Sequence, residues 1–453
     1  MSAGLWTLIR VLRERSAQER SCRWTAARLQ AHQARAVDDL RRFALTHSPF
    51  YREFHRGYEQ RPLDELPILS KATLMERFDD VVTDRAVRLA DVEAFLRQGQ
   101  ESALFRGRYV VLATSGSTGR RGVFLYDERE WIRAIASITR PISWRQQSGA
   151  RRKPPRAALI AAGAPWHYSA RVGKALSNRV APALRLDAAT PIAELVDQLN
   201  EWQPEALAAY PSVLRQLAAE QLDGRLRIYL RNVATSAEVL GDDTRAAVQK
   251  AWGIPVQDTY GATEYAPIAT ECEHGRKHLF EDGALIEVVD DSGRLVAPGE
   301  SGTRLLLTVF KRFTQPLIRY EMSDIVRLTG EPCPCGRPYR TIDAIEGRQE
   351  DILYFDAADA GPPVAVHPNL FHDALESFAV TAWQVAQDEA GLTIRLIGGH
   401  EAGLPQRIED TIRATLQSAG ARVPTVTVRS VERLQRGATG KAPLIVANLR
   451  RTR

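Results

Sequence analysis

Residues Thr114 to Gly122 read TSGSTGRRG and lie between two apolar runs, Tyr109 to Ala113 and Val123 to Tyr126. These nine residues supply four hydroxyls, three glycines and two arginines. Glycines let backbone N–H groups turn toward an anion, and hydroxyls and guanidinium groups add further donors. The stretch therefore predicts a loop that wraps the triphosphate of a nucleotide in an ATP-using enzyme.

The surroundings of this loop indicate which kind of phosphate loop it is. A Walker loop needs the pattern GxxxxGK[ST] between a strand and a helix, and that pattern is absent from Thr114 to Gly122. The residues after Gly122 are VFLYD, β-branched and aromatic, which favours a hairpin of two strands. The alternative is a flexible Ser/Gly-rich surface turn with no ligand.

Composition and charge bound the class of protein. With 453 residues, 44% of them hydrophobic, the chain predicts two or three globular domains and excludes general disorder. The net charge of +6 comes from a surplus of arginine and fits an anionic small molecule. Because no basic run carries interleaved aromatics, nucleic acid is the weaker partner.

The same survey addresses location. No apolar stretch is long enough to span a bilayer, and Leu5 to Leu12 is too short and too charged for a signal peptide. Four cysteines are too few for a disulfide scaffold, which agrees with a reducing compartment. We expect a cytoplasmic protein without a membrane span.

The N-terminal region predicts helices. Leu5 to about Leu45 is rich in Arg, Ala, Leu and Glu and contains no Pro or Gly, which indicates one or two amphipathic helices. Packing on the main domain is favoured over a membrane-surface role, because the basic residues are spread around the helix. In LPILSKATL, Leu66 to Leu74, Ser70 is placed to cap a further helix.

Strands and helices alternate between Arg156 and Tyr260. Short apolar runs predict four strands: Ala157 to Ala162, Ala206 to Ala209, Tyr229 to Ala234 and Val256 to Thr259. Helical segments separate them: Pro191 to Trp202, Pro211 to Leu222 and Leu240 to Trp252. This alternation predicts a parallel sheet covered by helices, with the ligand site at the carboxyl ends of the strands. Polar clusters fall at those ends, at Thr235 to Glu238 and at Tyr260 to Glu264.

The remaining chain predicts two smaller parts. From Gly283 to about 345, apolar and polar residues alternate around turn signals, which indicates a small antiparallel sheet. After GRQED, Gly347 to Asp351, the pattern becomes helix, two strands around EAG at Glu389 to Gly391, helix and a final strand. The predicted fold is α/β: a large domain, 1–347, with helix-covered parallel sheets and a small β subdomain at about 283–345, and a small α+β lid domain, 348–453.

Four further motifs follow the phosphate loop: DTYGATE at Asp258 to Glu264, RYEMSD at Arg319 to Asp324, GRQED, and GATGK at Gly437 to Lys441. In this order they resemble the adenylate-forming superfamily of acyl- and aryl-CoA synthetases, and more closely its phenylacetate-CoA ligase branch. The resemblance covers nearly the whole chain, including SPFYR and LPILSK near the N-terminus.

The resemblance implies a reaction in two halves. A carboxylic acid, expected to be aryl, attacks the α-phosphate of ATP to give an acyl-adenylate and pyrophosphate, and coenzyme A then displaces AMP. Alternatives are transfer to an amine or a carrier protein, or a degenerate scaffold that binds nucleotide. The partners implied are the acid, ATP with Mg²⁺ and coenzyme A, and the chain could pair as a homodimer.

The family motifs also imply residues for ATP and AMP. The phosphate loop would contribute Thr114, Ser115, Gly116, Ser117, Thr118, Gly119 and Arg120. Arg121 is a departure from the family pattern, because the wider superfamily often has Pro and Lys near this position. Ser236, Ala237 and Glu238 would frame the adenine. Tyr260 would stack on the base, and its neighbours Asp258, Thr259 and Gly261 belong to the same nucleotide-binding segment. Asp324 would accept hydrogen bonds from the ribose hydroxyls, and Arg348 would contact the ribose or phosphate.

Three positions carry the catalytic expectation. Thr263 and Glu264 match residues that meet the phosphate and hold Mg²⁺, a hard cation that prefers oxygen ligands. Lys441 matches the lysine that a mobile lid delivers to the developing negative charge. Glu350 falls where relatives have a hinge aspartate, and the glutamate is a departure. Without this context, Lys441 would be an ordinary solvated surface lysine.

The cysteines suggest a second site. Cys333 and Cys335 form a CxC pair, and Cys272 and His278 lie upstream in CEHGRKH. Three thiols and one imidazole suit a tetrahedral structural Zn²⁺ site, with His274 as the substitute for His278. The alternative is a set of free, reduced thiols.

An acid pocket is expected between GAPWHYSAR, Gly163 to Arg171, and the segment Tyr260 to Ile268. Aromatic and apolar walls are usual for such pockets. The candidate lining residues are Trp166, His167, Tyr168 and Tyr265. They could equally be aromatics of the core.

Overall fold

The structure is a computed structural model that describes residues 3–99, 103–114, 121–141, 144, 155–163, 166–176, 182–188, 190–348, 351–359, 363–366, 370–371, 374–375, 378, 380, 382–399, 401–435 and 443–447. The chain divides into two compact units. The first unit comprises Met1–Pro154, Gly163–Ala183 and Gln257–Ile345, and the second comprises Pro155–Ala162, Leu184–Val256 and Glu346–Arg453. The predicted mixture of helices and strands is confirmed in both units.

The described helices are α1 (Ala3–Ser21), α2 (Ala26–His47), α3 (Pro49–Phe54), a 3₁₀ turn (Leu63–Glu65), α4 (Lys71–Glu76), α5 (Phe78–Val81), α6 (Leu89–Arg97), α7 (Glu128–Thr139), α8 (Tyr168–Leu176), α9 (Ile192–Trp202), α10 (Pro211–Leu222), α11 (Asp242–Trp252) and α12 (Leu404–Ser418). None of them is long and apolar enough to cross a bilayer.

The described strands are β1 (Val110–Ala113), β2 (Val123–Tyr126), β3 (Ala157–Ala161), β4 (Ala183–Asp187), β5 (Ala206–Ala209), β6 (Asn232–Ser236), β7 (Val256–Tyr260), β8 (Ala269–Glu271), β9 (Lys277–Leu279), β10 (Ala284–Val289), β11 (Arg304–Val309), β12 (Tyr320–Met322), β13 (Asp324–Leu328), β14 (Thr341–Arg348), β15 (Leu353–Phe355), β16 (Val364–Val366), β17 (Ala382–Asp388), β18 (Gly391–Ile397), β19 (Val426–Ser430) and β20 (Ile445–Ala447).

The hairpin predicted around the phosphate loop is confirmed in the first unit. β1 and β2 pair antiparallel, with Ala113 opposite Val123, and both strands are fully buried. Side chains also meet the main chain of β2: the amide of Gln315 accepts from Leu125 N at 3.0 Å and donates to the Val123 carbonyl at 3.1 Å. The Val123 N–H points at the sulfur of Met75 at 3.2 Å.

Two further groups of strands share the first unit with this hairpin. The predicted antiparallel sheet is confirmed for β10, β11 and β12, but β13 and β14, which lie in the same predicted range, join a different sheet. A second run of strands follows the order β7, β8, β9, β14 and β13. The residues of the hairpin and of both sheets share one apolar core, which also receives α3 and α4. As predicted, the N-terminal helix packs on this unit, α1 lying against α7.

Local chemistry sets the starts of these helices. Ser70 caps α4 by accepting a hydrogen bond from Thr73 N at 3.1 Å, as predicted. Asp127 and Glu130 form a capping box at the start of α7. The second oxygen of Glu130 accepts from the main chain of Phe313 and Thr314, at 2.7 and 2.8 Å. This capping residue therefore also fixes a distant turn.

The second unit contains the predicted parallel strands. β3 and β5, and β5 and β6, pair in parallel, in the order β6, β5, β3, β4. Helices α9, α10 and α11 alternate with them along the chain. The strand expected to begin at Tyr229 starts instead at Asn232. Leu226, Ile228 and Leu230 are buried, while Tyr229 is 87% exposed. Burial therefore alternates along this segment as it would in a strand, although the segment lies before β6, which explains the early predicted start.

The C-terminal part of the second unit has a core of its own. β17 and β18 pair around the predicted turn at Glu389 and Ala390, and β19 and β20 add on either side in parallel. Helix α12 buries Ile408, Ile412 and Leu416, a spacing of one helical turn. A helix on a four-stranded sheet is the α+β architecture that the sequence predicts.

A buried ion pair in the first unit joins Arg140 to Asp282. Arg140, 1% exposed, donates to both oxygens of Asp282 at 2.7 and 3.2 Å. Burial alone would raise the pKa of Asp282, but the Arg140 guanidinium holds that pKa below its usual value. Ser21, at the end of α1, also donates to Asp282 at 2.6 Å. The pair therefore ties the N-terminal helix to the strand region of this unit.

We predict that Arg140→Leu lowers the free energy of unfolding by about 3–5 kcal/mol, because it leaves the Asp282 carboxylate buried without its cation. The matched control is Arg10→Leu, which removes an exposed pair with Glu128 and should cost less than about 1 kcal/mol. Urea denaturation measures both.

The pH dependence gives a second readout. The lowered pKa of Asp282 contributes stability at neutral pH that is lost as acid protonates the carboxylate. The gap between wild type and Arg140→Leu should therefore narrow as the pH falls. A gap that is constant with pH would contradict this role of the pair.

Candidate active site

Thr114 and Gly122 build the base of the predicted phosphate loop. Thr114 N donates to the Gly122 carbonyl at 2.9 Å, and its hydroxyl oxygen accepts from Gly122 N at 2.8 Å. Lys71 Nζ lies 3.3 Å from the same hydroxyl. Its stem passes Gly122 so closely that a Cβ there would lie 3.1 Å from Lys71 Cε. A cation therefore stands where the loop leaves the hairpin.

Lys71 is held at this position through the chain that precedes it. Leu69 pairs with Tyr320 as an isolated bridge, with Leu69 N donating to the Arg319 carbonyl at 3.0 Å. The Arg319 guanidinium, 3% exposed, donates to the carbonyls of Asp64 and Leu66 at 2.8 and 2.6 Å. It also pairs with Glu287 at 3.2 Å. The buried arginine of RYEMSD therefore fixes the segment that begins α4.

The main chain at Thr263 and Glu264 is held by the hairpin. The Tyr126 hydroxyl lies 3.0 Å from the Thr263 carbonyl and 3.1 Å from that of Glu264. Arg312 donates to the Glu264 carbonyl at 3.0 Å, and its guanidinium stacks on the Tyr126 ring at 3.9 Å. Two side chains thus fix the main chain of a single residue.

The Glu264 carboxylate has a defined partner. The Tyr320 hydroxyl donates to Glu264 Oε1 at 3.1 Å, and both residues are buried. Burial raises the pKa of Tyr320 well above its usual value, so the phenol stays protonated at neutral pH. Contact with a neutral donor orients a carboxylate without neutralising it, so the group can still bind a cation.

The residues before Glu264 lie on β7 and the turn after it. Asp258 forms an ion pair with Lys277 at 2.6 Å, and the Thr259 hydroxyl lies 2.7 Å from that of Thr270. Tyr260 is partly buried and packs against the core of the first unit. A Cβ on Gly261 would lie 3.0 Å from that of Ala266, so the turn is closely packed.

The other nucleotide candidates have the following places. Asp324 is buried at the start of β13 in the first unit. In the second unit, Ser236 ends β6, and Ala237 follows with a φ of +74°. Glu238 Oε2 accepts from Ser212 N at 3.1 Å, in the first turn of α10. Arg348 ends β14.

Several predicted site residues lie outside the described residues. They are Ser115, Gly116, Ser117, Thr118, Gly119 and Arg120 of the phosphate loop, the hinge candidate Glu350, and Lys441. Arg121 is described, and its guanidinium lies over the Trp166 ring at 5.4 Å.

The acid-pocket candidates fall into two groups in the first unit. Trp166 lies at the hairpin, where its carbonyl accepts from Ala113 N at 3.1 Å, and His167 follows it. Tyr168 begins α8 and donates to the Ala266 carbonyl at 2.8 Å. Tyr265 donates to the Phe280 carbonyl at 3.3 Å. The two tyrosines therefore use their hydroxyls on the main chain.

A ring partner extends this aromatic group. Trp131 on α7 meets Tyr168 edge to face at 5.7 Å and Tyr126 at 5.8 Å. Edge-to-face contacts of this kind stabilise a fixed arrangement of rings. Tyr126, which binds the main chain of Glu264, is therefore in contact with Trp131 of this aromatic group.

The four predicted metal ligands lie together in the first unit. The donor atoms of Cys272, His278, Cys333 and Cys335 are all within 4.8 Å of one another. Cys272 Sγ and Cys333 Sγ are 3.7 Å apart, and Cys335 Sγ lies 3.2 Å from His278 Nε2. His274, the substitute, contributes its backbone N–H to Cys272 Sγ at 3.3 Å.

The imidazole of His278 is set up as a ligand. Its Nδ1 lies 3.1 Å from the Tyr339 carbonyl, which only accepts, so the proton is assigned to Nδ1 and the lone pair to Nε2. Burial lowers the pKa of His278 to about 4, which keeps the ring neutral at pH 7. The donor set and this orientation fit a tetrahedral zinc ion.

Sequence motifs did not reveal several residues that build this site: Lys71, Tyr126, Arg312 and Tyr320. Lys71 and Tyr320 lie inside the quoted segments LPILSK and RYEMSD. Their position within segments that match the family could have indicated a role in the site. Tyr126 and Arg312 carried none, because their contacts are with the main chain at Glu264.

Part of the chain is similar in sequence to known proteins. The model of the family described as AMP-binding enzyme matches residues 106–306. Protein CapK of Staphylococcus aureus is 24% identical over 299 residues, 64% of this chain and 60% of that protein. Phenylacetate-coenzyme A ligase of Thermus thermophilus is 30% identical over 172 residues, 36% of this chain and 38% of that protein. The chain thus matches less than two thirds of the length of these relatives.

Solved structures extend the likeness of fold to nearly the whole chain. The crystal structure of 2-hydroxyisobutyryl-CoA ligase in the postadenylation state superposes with a TM-score of 0.72 over 94% of this chain and 91% of that chain, at 20% identity. The family match, the phenylacetate ligase relatives and this fold agree with one another. Residues 106–306 therefore match the family described as AMP-binding enzyme, and the chain is similar to phenylacetate-coenzyme A ligases in part of its sequence and to 2-hydroxyisobutyryl-CoA ligase in its fold.

Proposed function

We propose that this protein uses ATP to activate a carboxylic acid and then transfers the acyl group to coenzyme A. In the first half, a carboxylate oxygen bonds to the α-phosphorus and the bond to pyrophosphate breaks, which gives an acyl-adenylate. In the second half, the thiol sulfur bonds to the acyl carbon, AMP leaves, and the thiol proton passes to solvent.

The observation that carries this proposal is the fixed carboxylate of Glu264. Its main chain is pinned by Tyr126 and Arg312, and its side chain is oriented by the neutral phenol of Tyr320. Glu264 would hold the Mg²⁺ that accompanies ATP, since carboxylate oxygen is the ligand this ion prefers. When bound, the ion would neutralise charge on the phosphates.

The other residues take roles by their chemistry and position. The loop from Thr114 to Arg120 and the ammonium of Lys71 would bind the β- and γ-phosphates. Ser236 to Glu238 and Tyr260 would receive the adenine, and Asp324 would receive the ribose. Lys441 would supply positive charge as the carboxylate attacks, and this charge is needed in the first half alone.

The proposed acid is aromatic and the proposed acceptor is coenzyme A. The hydroxyls of Tyr168 and Tyr265 are bound to main-chain carbonyls, and Trp131 packs against Tyr168. These residues would therefore present their rings to the acyl group. Such a surface favours an apolar, flat acyl group. The names of the phenylacetate-coenzyme A ligase relatives support the same acid class and acceptor.

The central test is acid-dependent exchange of pyrophosphate into ATP, screened over aryl and aliphatic acids. We expect Lys441→Ala to slow this exchange by roughly 10²–10³-fold while sparing thioester formation from a supplied acyl-adenylate. Lys250→Ala, an exposed lysine on α11, is the control. Failure of every acid in the panel to support exchange would reject the function, and pyrophosphate release measured with and without coenzyme A tests the acceptor.

Lys71→Met tests the cation at the base of the phosphate loop. Methionine keeps most of the stem that packs on Gly122 but removes the charge, so KM for ATP should rise about tenfold, the cost of one charge-assisted hydrogen bond. KM for the acid should stay unchanged. Wild-type ATP dependence in this variant would show that Lys71 only packs against the hairpin.

We further propose that Cys272, His278, Cys333 and Cys335 hold a structural zinc ion. Three thiolates and one neutral imidazole form a closed donor set, which stabilises a fold and leaves no open position for a substrate. The cluster joins β8 and β9 to the segment around Cys333, and these regions are distant in the sequence. Bound metal would therefore cross-link this part of the first unit.

Cys333→Ser should release the metal, about one zinc per chain, and lower the midpoint of thermal unfolding. Cys22, the one cysteine of the four that is not a member of the cluster, supplies the matched control, because Cys22→Ser should retain the metal. Elemental analysis of both purified variants gives the result. Wild-type protein purified without zinc, or equal metal content in the two variants, would exclude the site.

A further inference from the structure

The turn from Phe280 to Gly283 connects β9 to β10 in the first unit, and Gly283 N donates back to the Phe280 carbonyl at 3.1 Å. We call it the 280–283 turn. All four of its residues are held by groups from elsewhere in this unit, and the same turn receives the hydroxyl of Tyr265.

Arg140 provides the main clamp on this turn. Its guanidinium binds both carboxylate oxygens of Asp282 and lies 4.0 Å from the centre of the Phe280 ring. The Asp282 carbonyl lies 3.0 Å from His32 Nε2, and Ser21 donates to the Asp282 carboxylate. A buried ion pair with added hydrogen bonds resists displacement, because moving either partner exposes an uncompensated charge.

The neighbouring residues of the turn are fixed as well. The Glu281 carboxylate accepts from Arg340 N at 2.7 Å and from Arg340 Nε at 2.8 Å. The Gly283 carbonyl accepts from Phe310 N at 2.9 Å. The turn therefore behaves as a rigid platform.

Tyr265 rests on this platform. Its hydroxyl donates to the Phe280 carbonyl, and a Cβ added to Gly283 would overlap that hydroxyl oxygen and lie 3.2 Å from the adjacent ring carbon. Real Cβ atoms do not approach other heavy atoms within 3.0 Å, so only glycine allows this position of the ring. Gly283 is required for space.

The backbone of Tyr265 cannot adjust to relieve such a contact. The carbonyl before it, on Glu264, is bound by Tyr126 and Arg312, and the carbonyl after it, on Ala266, is bound by Tyr168. Any displacement must therefore come from rotation of the Tyr265 side chain, which would carry the ring away from Gly283.

We infer that the 280–283 turn, clamped by Arg140, is a specificity determinant that sets the size of the acyl group this protein accepts. Gly283 allows the Tyr265 ring to withdraw fully, and Arg140 acts as a positioning residue that keeps the turn in place. The inference rests on the proposed function, in which Tyr265 lines the acid pocket. A side chain at position 283 would push the ring into the pocket and shorten it.

Gly283→Ala tests this inference, with benzoate, phenylacetate and 3-phenylpropanoate as an acid series of rising length. We expect the ratio of kcat/KM for the longest acid to that for the shortest to fall by about tenfold or more, the usual effect of a methylene in a fitted pocket. KM for ATP should not change. Gly330→Ala is the control, because a Cβ there meets its neighbour at an ordinary 3.5 Å.

The double variant Gly283→Ala/Tyr265→Phe separates the contact from a general loss of fold. Removing the hydroxyl removes the contact under 3.0 Å with the added Cβ and leaves the 3.2 Å contact with the ring carbon, so the double variant should regain part of the thermal stability and of the preference for longer acids that Gly283→Ala loses. If Gly283→Ala does not fold but the double variant does, the contact with Tyr265 is supported.

Two results would overturn the inference. One is a folded Gly283→Ala variant with wild-type acid preference, and the other is an equal stability loss from Gly283→Ala whether position 265 keeps its tyrosine or carries Tyr265→Phe. Failure of the proposed function looks different. In that case no acid supports pyrophosphate exchange in the wild type, whatever the stability measurements show.

Discussion

The arrangement of the candidate site depends on one buried cation. Arg312 is 2% exposed, and its guanidinium donates to carbonyls of Glu264, Leu125 and Gln315 while lying on the ring of Tyr126. A charge without water must have its donors occupied, or the fold loses several kcal/mol. The second strand of the hairpin and the turn that carries Glu264 therefore have to converge on this residue. The position of Glu264, the proposed Mg²⁺ ligand, follows from the hydrogen-bonding needs of the buried Arg312 guanidinium.

The same arrangement recurs elsewhere in the first unit. Arg319 holds the segment that leads to Lys71, and Arg140 holds the turn on which Tyr265 rests. In each case the arginine binds main chain or a buried carboxylate, and a neighbouring residue carries the side chain to which we assign a role. Part of the arginine surplus of the composition thus serves internal construction, a use that is separate from the proposed attraction of an anionic ligand. Net charge alone does not distinguish these two uses.

Local patterns were enough to predict much of this fold. The hairpin, the alternation of strands and helices, the Ser70 cap and the grouping of three cysteines with His278 all follow from chemistry that neighbouring residues or residue types express. The contacts of Lys71 with Thr114 and of Arg140 with Asp282 span 43 and 142 residues, and no periodicity marks them. The early start assigned to β6 failed because burial alternates in an extended segment whether or not it joins a sheet. Local sequence patterns therefore do not predict contacts between residues that are far apart in the chain.

The side chains around β2 have a consequence for solubility. The outward main-chain groups of Val123 and Leu125 are met by Met75, Gln315 and Arg312. A strand border whose donors and acceptors are already engaged cannot template the addition of a foreign strand. A short, entirely apolar hairpin would otherwise be a natural seed for aggregation. The glutamine at 315 thus takes the place of a third strand and keeps the hairpin from joining other copies edge to edge.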